Sequence, residues 1–149
     1  MPLSRKTRRS ALVVVGIGAL FFFSIRMNTN PPSNRAQTAP DAPDPALQTR
    51  VYAAPMEQVA DKVRALQIST YGRSWKLDES ASQTPNKIAF RVPVIIFTDV
   101  LTLTLQSAGN DKTRLDVESH SQVGQGDFGE NRRHIKQLLN ALDVLLPRG

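Results

Sequence analysis

At 149 residues the chain is long enough for one domain with its own core, but not for several. Its formal charge of +6 is concentrated, since Arg5, Lys6, Arg8, Arg9 and Arg26 supply five of the six; the nearly neutral body lacks the basic face that nucleic-acid binding needs. The absence of cysteine excludes disulfides, thiol catalysis, zinc–thiolate sites and a lipoprotein anchor.

The first element is an uncharged run, Ala11 to Ile25 (ALVVVGIGALFFFSI), bracketed by the basic residues. It is longer than most signal-peptide cores and shorter than an ideal span of about 20 residues. A small-residue cleavage site should follow closely, but the run ends in Ile25-Arg26-Met27 and the nearest small pair, Ala36 and Thr38, stands about ten residues further on. The reading is an uncleaved N-terminal anchor over 1–26, with export as a soluble protein after cleavage as the alternative. Basic residues before the run hold the N-terminus in the cytoplasm and send the body across the cell membrane, to the periplasm or its equivalent. Thr7-Arg8-Arg9-Ser10-Ala11-Leu12 also carries a degraded twin-arginine pattern, with Ala11 at the usual bulky apolar position and Val13 at the usual Lys.

Residues 27–49 contain Pro31, Pro32, Pro40, Pro43 and Pro45 and almost no large apolar side chain. This composition predicts a disordered spacer with a reach between about 25 Å and about 70 Å, so that the domain is tethered without being pressed to the bilayer.

Residues 50–149 then predict one α+β domain. Arg50 to Ala53 reads as a strand, and Pro55 opens a helix with Met56, Val59, Ala60, Val63 and Leu66 on one face, ending near Ser69. Trp75 to Glu79 reads as a short strand. Ile88, Phe90, Val92 and Val94 alternate with Ala89 and Arg91, and Leu101, Leu103 and Leu105 alternate with Thr102, Thr104 and Gln106. After the turn Ala108-Gly109-Asn110-Asp111, a last strand places Leu115, Val117, Ser119 and Ser121 on one face and Asp116, Glu118, His120 and Gln122 on the other. Ile135, Leu138, Leu139, Leu142, Leu145 and Leu146 form the stripe of a final helix, expected to start near Phe128 with Asp127 and Glu130 as a capping box. The order β-α-β-β-β-β-α predicts an antiparallel sheet of four to five strands with both helices on one face.

Gly124-Gln-Gly126-Asp-Phe-Gly129 has the spacing of a dinucleotide-binding turn. The chain ends before a second parallel strand could form, and Asp127 would repel a phosphate, so the glycines read as turn residues and no cofactor is expected. On the open face, His120 with Glu118 and Asp116 could bind a metal or act as acid and base, although alternating charge is also the mark of a solvated sheet. Ser119 and Ser121 read as residues that satisfy turn and cap backbone, Asn131 as a pin for the glycine loop, and Arg133 as a surface or anion-binding residue. Trp75 reads as a core or edge residue rather than a stacking platform.

The string Ser119-x-Ser121-x-Val123-Gly124-x-Gly126-Asp127-Phe128-Gly129-x-Asn131, closing on Ile135, resembles the C-terminal signature of domain of unknown function fourteen ninety-nine (DUF1499), a family of bacteria and plastid-bearing eukaryotes. Phe97-Thr98-Asp99-Val100, Trp75 and Arg50-Val51-Tyr52 sit where that family's earlier patches lie, so the resemblance extends over about residues 50–146. The family commonly has Arg where Gln122 and His134 stand here, which removes an anion site built on those arginines. The resemblance carries no activity. The reading is therefore a membrane-tethered, non-enzymatic envelope domain that binds a protein partner or small ligand. The alternatives are a carrier of a small apolar ligand or lipid, its cavity lined by Trp75, Phe90, Phe97 and the leucines, and a hydrolase using His120.

Overall fold

A computed structural model of the protein describes residues 34–124 and 129–149. The expected apolar helix over 11–25, residues 27–33 of the spacer, and Gly126, Asp127 and Phe128 of the glycine turn lie outside the described residues. Among those described, no helix is long and apolar enough to cross a membrane.

In chain order the elements are β1 (Arg35–Gln37), a 3-10 turn (Pro45–Leu47), β2 (Arg50–Tyr52), helix α1 (Met56–Arg64), β3 (Ser69–Thr70), β4 (Arg73–Ser74), β5 (Lys76–Leu77), β6 (Lys87–Val94), β7 (Phe97–Ser107), β8 (Thr113–Ser121) and helix α2 (Glu130–Leu145). The sheet is antiparallel, in the order β1-β8-β7-β6-β5, with β2 also on the outer edge of β8. β3 and β4 form a separate hairpin. The α+β class, the antiparallel sheet and the two helices agree with the sequence.

Both helices pack on the face to which the apolar residues alternate. Ile88, Val92, Leu101, Leu103, Leu115 and the α2 stripe Ile135, Leu138, Leu139 and Leu142 have no exposed surface. Each such side chain contributes about 1.5–3 kcal/mol relative to exposure, so this layer is what holds the helices down. Arg50 and Tyr52 tie β2 to α2: the Arg50 Nε donates to Asp143 Oδ2 at 3.3 Å and the Tyr52 hydroxyl donates to Asp143 Oδ1 at 2.8 Å. Burial first, and the Asp143 carboxylate second, push the Tyr52 hydroxyl far above its ordinary pKa.

Three boundaries differ from the sequence reading. Residues 34–49, expected as part of a disordered spacer, lie on the sheet. β1 pairs Arg35 with His120 and Gln37 with Glu118, the Thr38 amide donates to the Val117 carbonyl at 2.8 Å, and Leu47 is buried in the core. Few apolar groups suffice here because the prolines have little backbone freedom to lose and Asp44 caps the 3-10 turn through the Ala46 amide. α1 stops at Arg64 rather than near Ser69, because Ile68 leaves the helix path to enter the core and its carbonyl accepts from the Trp75 amide at 2.8 Å. α2 begins at Glu130, two residues later than expected. Gly129 stands before it at φ 86°, a left-handed conformation that a helix cannot continue through, and Glu130 accepts from Arg133, while Asp127, its expected capping partner, lies outside the described residues.

Candidate functional site

The alternation that buries leucines along β7, β8 and α2 also buries polar groups at one end of the layer. On β7 the inward position before Leu101 is Asp99; on β8 the positions after Val117 are Ser119 and Ser121; on α2 the stripe begins with Asn131 and His134. Asp99, Ser119, Asn131 and His134 are all buried. They meet because register pairs Asp99 with Ser121, and because the first two turns of α2 lie over that pair.

Asn131 is the hub. Its Oδ1 accepts from the Ser119 hydroxyl at 2.6 Å, and its Nδ2 donates to the Asn34 carbonyl at 2.8 Å and to Ser121 Oγ at 3.1 Å. The Ser121 amide donates to the same Asn34 carbonyl at 2.9 Å, and the Asn34 side-chain amide donates to the Gly124 carbonyl at 3.1 Å. One amide thus joins the start of β1, the end of β8 and the first turn of α2. Ser119 and Ser121, expected to satisfy turn and cap backbone, meet the Asn131 side chain instead, and Asn131 reaches Asn34.

His134 stands beside the hub. Its Nδ1 lies 3.6 Å from Asp99 Oδ2 and its Nε2 lies 3.5 Å from Glu130 Oε2, with the ring edge-on to Trp75 at 5.9 Å. Trp75 is buried, as expected for a core residue, and donates from Nε1 to Thr70 Oγ1 at 2.7 Å. Arg133 holds Glu130 through two contacts of 2.6 and 3.2 Å and lies over the Tyr71 ring at 5.1 Å. Burial pushes the Glu130 carboxyl up, but Arg133, the Tyr71 hydroxyl and His134 together outweigh it and hold the group below the usual carboxylate range.

Gly124, at φ 92°, stands three residues after β8 in a conformation that favours glycine. Gly126 and Asp127 lie outside the described residues. Asp99, Glu130 and His134 were not singled out as site residues, yet the signal existed: Asp99 shares the parity of Leu101 and Leu103, and His134 stands four residues before Leu138.

The open face of the sheet is a different environment. Arg35 pairs with Glu118, whose Oε1 lies 3.8 Å from His120 Nδ1. Asp116 accepts from Arg114 at 2.7 Å and from the hydroxyls of Thr49 and Thr38. Burial raises the Asp116 carboxyl, but those three donors outweigh it and keep it ionised below its ordinary range. These residues line a shallow groove of about 680 Å³. Among the described residues, no three acidic, histidine or cysteine side chains stand close enough to hold a metal ion. Ser119 and Ser121 point away from His120, to the helix side, so no serine–histidine pair forms on this face.

Residues 25–142 match the family described as Protein of unknown function (DUF1499). The chain belongs to this family. No curated protein matches the DUF1499 chain in sequence. Its fold is similar to that of CalU16 from Micromonospora echinospora, at 16% identity, covering 74% of this chain and 82% of that one with a TM-score of 0.50. It also aligns with a START superfamily protein from Mycobacterium smegmatis (14% identity, 75% and 96% coverage, TM-score 0.48) and with protein CV1439 from Chromobacterium violaceum (16% identity, 76% and 97% coverage, TM-score 0.47). At these identities the likeness is one of fold. Of the residues that carried the DUF1499 resemblance, Ser119, Ser121 and Asn131 meet at the junction, Val123, Gly124 and Gly129 lie in its flanking turns, and Ile135 is buried one turn along α2.

Proposed function

We propose that this DUF1499 chain is a membrane-tethered, non-catalytic module on the outer side of the cell membrane, which works by binding at its surface. The observation that carries this reading is how the interior is used. Ile135, Leu138, Leu139 and Leu142 fill the space between α2 and the sheet with no exposed area, and the Ser119 and Asn131 side chains are engaged with each other. A nucleophile needs a base aimed at it, and the Ser119 hydroxyl instead donates to an amide oxygen. A carrier needs space beneath its helices, and Phe97, expected to line such a space, stands at the β6–β7 turn about half exposed to solvent. The apolar run with basic residues before it supports the tether and its direction.

Two reporter fusions after Gly149, one active only outside the cytoplasm and one only inside, test the topology; activity from the inside reporter alone overturns it. Native mass spectrometry of the full chain tests the filled interior. The expected species is the bare protein, and an added mass that survives purification but leaves on denaturation moves the assignment to a carrier. His120→Ala is expected to leave fold and phenotype unchanged.

A further inference from the structure

Large apolar side chains are exposed at one end of the domain. Ile95 is 68% exposed, Ile96 79%, Phe97 46%, Tyr71 53% and Val123 56%. Ile95 and Ile96 form the two-residue turn between β6 and β7, where Val94 pairs with Phe97. Tyr71 tops the β3–β4 hairpin, and the two hairpins are joined where Arg73 donates to the Ile95 carbonyl at 2.8 Å. Val123 lies in the bend after β8, next to Gly124, whose carbonyl accepts from the Asn34 side chain.

The turn residues run against what folding alone would choose. A two-residue hairpin turn favours Asn-Gly or Asp-Gly, because it needs positive φ. Ile95 is held at φ 22°, which disfavours a β-branched side chain. Ile95 gives up backbone ease, and both isoleucines give up burial, so the pair has a use outside the fold.

Beside the turn, on the open face, Arg73, Lys76 and Arg91 line a recess of about 500 Å³ with Ser74, Pro93 and Thr98. Asp78 engages Arg91 at 2.9 Å, which leaves cationic charge in excess there. An apolar projection flanked by a cationic recess is complementary to a bilayer surface, where acyl chains lie a few ångströms beneath phosphates.

The tether decides among possible occupants. Because residues 34–49 lie on the sheet, only the eight residues 26–33 separate the apolar run from Asn34, a maximum of about 28 Å. The chain enters the domain where Asn34 accepts from Ser121, at the level of Asp99 and two residues from Phe97. The chain therefore enters the domain at the end that carries the exposed isoleucines.

We infer that the β6–β7 turn docks on the phospholipid surface in which the chain is anchored, with Ile95 and Ile96 entering the headgroup–acyl boundary and the Arg73–Lys76–Arg91 recess taking the phosphate of an anionic lipid. This rests on the tethered reading above. The domain lies against the bilayer instead of swinging free on a spacer.

The absence of native cysteine allows single-site labels. The full chain is reconstituted into vesicles of phosphatidylcholine with phosphatidylglycerol, carrying an environment-sensitive fluorophore at Thr98→Cys or, at the far end of β7, at Ala108→Cys. The expected result is co-flotation with vesicles, blue-shifted emission at Thr98 quenched by spin-labelled lipid, and no quenching at Ala108. Ile95→Asp with Ile96→Asp should abolish the quenching while flotation persists, and Arg73→Glu with Lys76→Glu should remove its dependence on phosphatidylglycerol. Flotation without quenching at Thr98 overturns the docking and leaves the tether standing. Failure to float overturns the tether and the docking with it. Quenching that persists in the double aspartate variant overturns the role of the isoleucines, and shielding of Thr98 in native membranes but not in pure lipid assigns the turn to a protein and overturns the lipid assignment.

Discussion

Asn131 does with one side chain what several backbone bonds would otherwise have to do, since Ser119, Ser121 and Asn34 all converge on it. Removing it strands buried partners, each at a cost of about 1–3 kcal/mol. Asn131→Ala is expected to lower the unfolding free energy by about 2–4 kcal/mol, measured by urea denaturation, whereas Ser119→Ala should cost about 1 kcal/mol because only one bond is lost. Vesicle association of the folded fraction should change in neither. That Asn131 stands in the first turn of α2 was legible in the sequence, but not its contact with Asn34, 97 positions earlier. The partners of His134 were not legible either, since Asp99 lies 35 positions earlier and only the β7–β8 register brings it under the helix.

The β6–β7 hairpin and β1 stand at opposite extremes of what the sequence shows. Alternation in Val100 to Leu105 identified the strand and its inward face, because leucine and threonine exchange at every step. β1 gave no such signal: it has three residues, sits among prolines and owes its pairing to β8, with Arg35 and Glu118 separated by 83 positions. Composition speaks for what a segment can bury alone, and β1 buries little alone. Ile95→Asn should raise stability by about 1 kcal/mol in thermal or urea unfolding, by relieving φ strain, and should weaken contact with vesicles. A stability gain without that loss would separate the turn from membrane contact.

For the whole molecule, the carboxylates set the acid limit. The Ser80 hydroxyl first and Arg91 second lower the Asp78 carboxyl, and Asp116 and Glu130 are lowered by donors that outweigh their burial. Folded values below the unfolded ones mean that their contribution is complete above about pH 4–5 and is lost as pH falls through the folded values. Urea midpoints should be nearly flat from neutrality to about pH 5 and fall below about pH 4, with a shallower fall in Asp116→Asn. The edge of β8 carries a further consequence, for the order of events during synthesis. β1 and β2 are made first, yet both pair with a strand that ends at Ser121, and the C-terminal Gly149 amide closes on the Val51 carbonyl at 2.9 Å. Pairings this distant in sequence are slow to form and cannot begin until β8 has been made. While the later strands are still being translated, Leu47 and Tyr52 have no surface to cover them, so the nascent domain is a substrate for holding chaperones until its last third emerges.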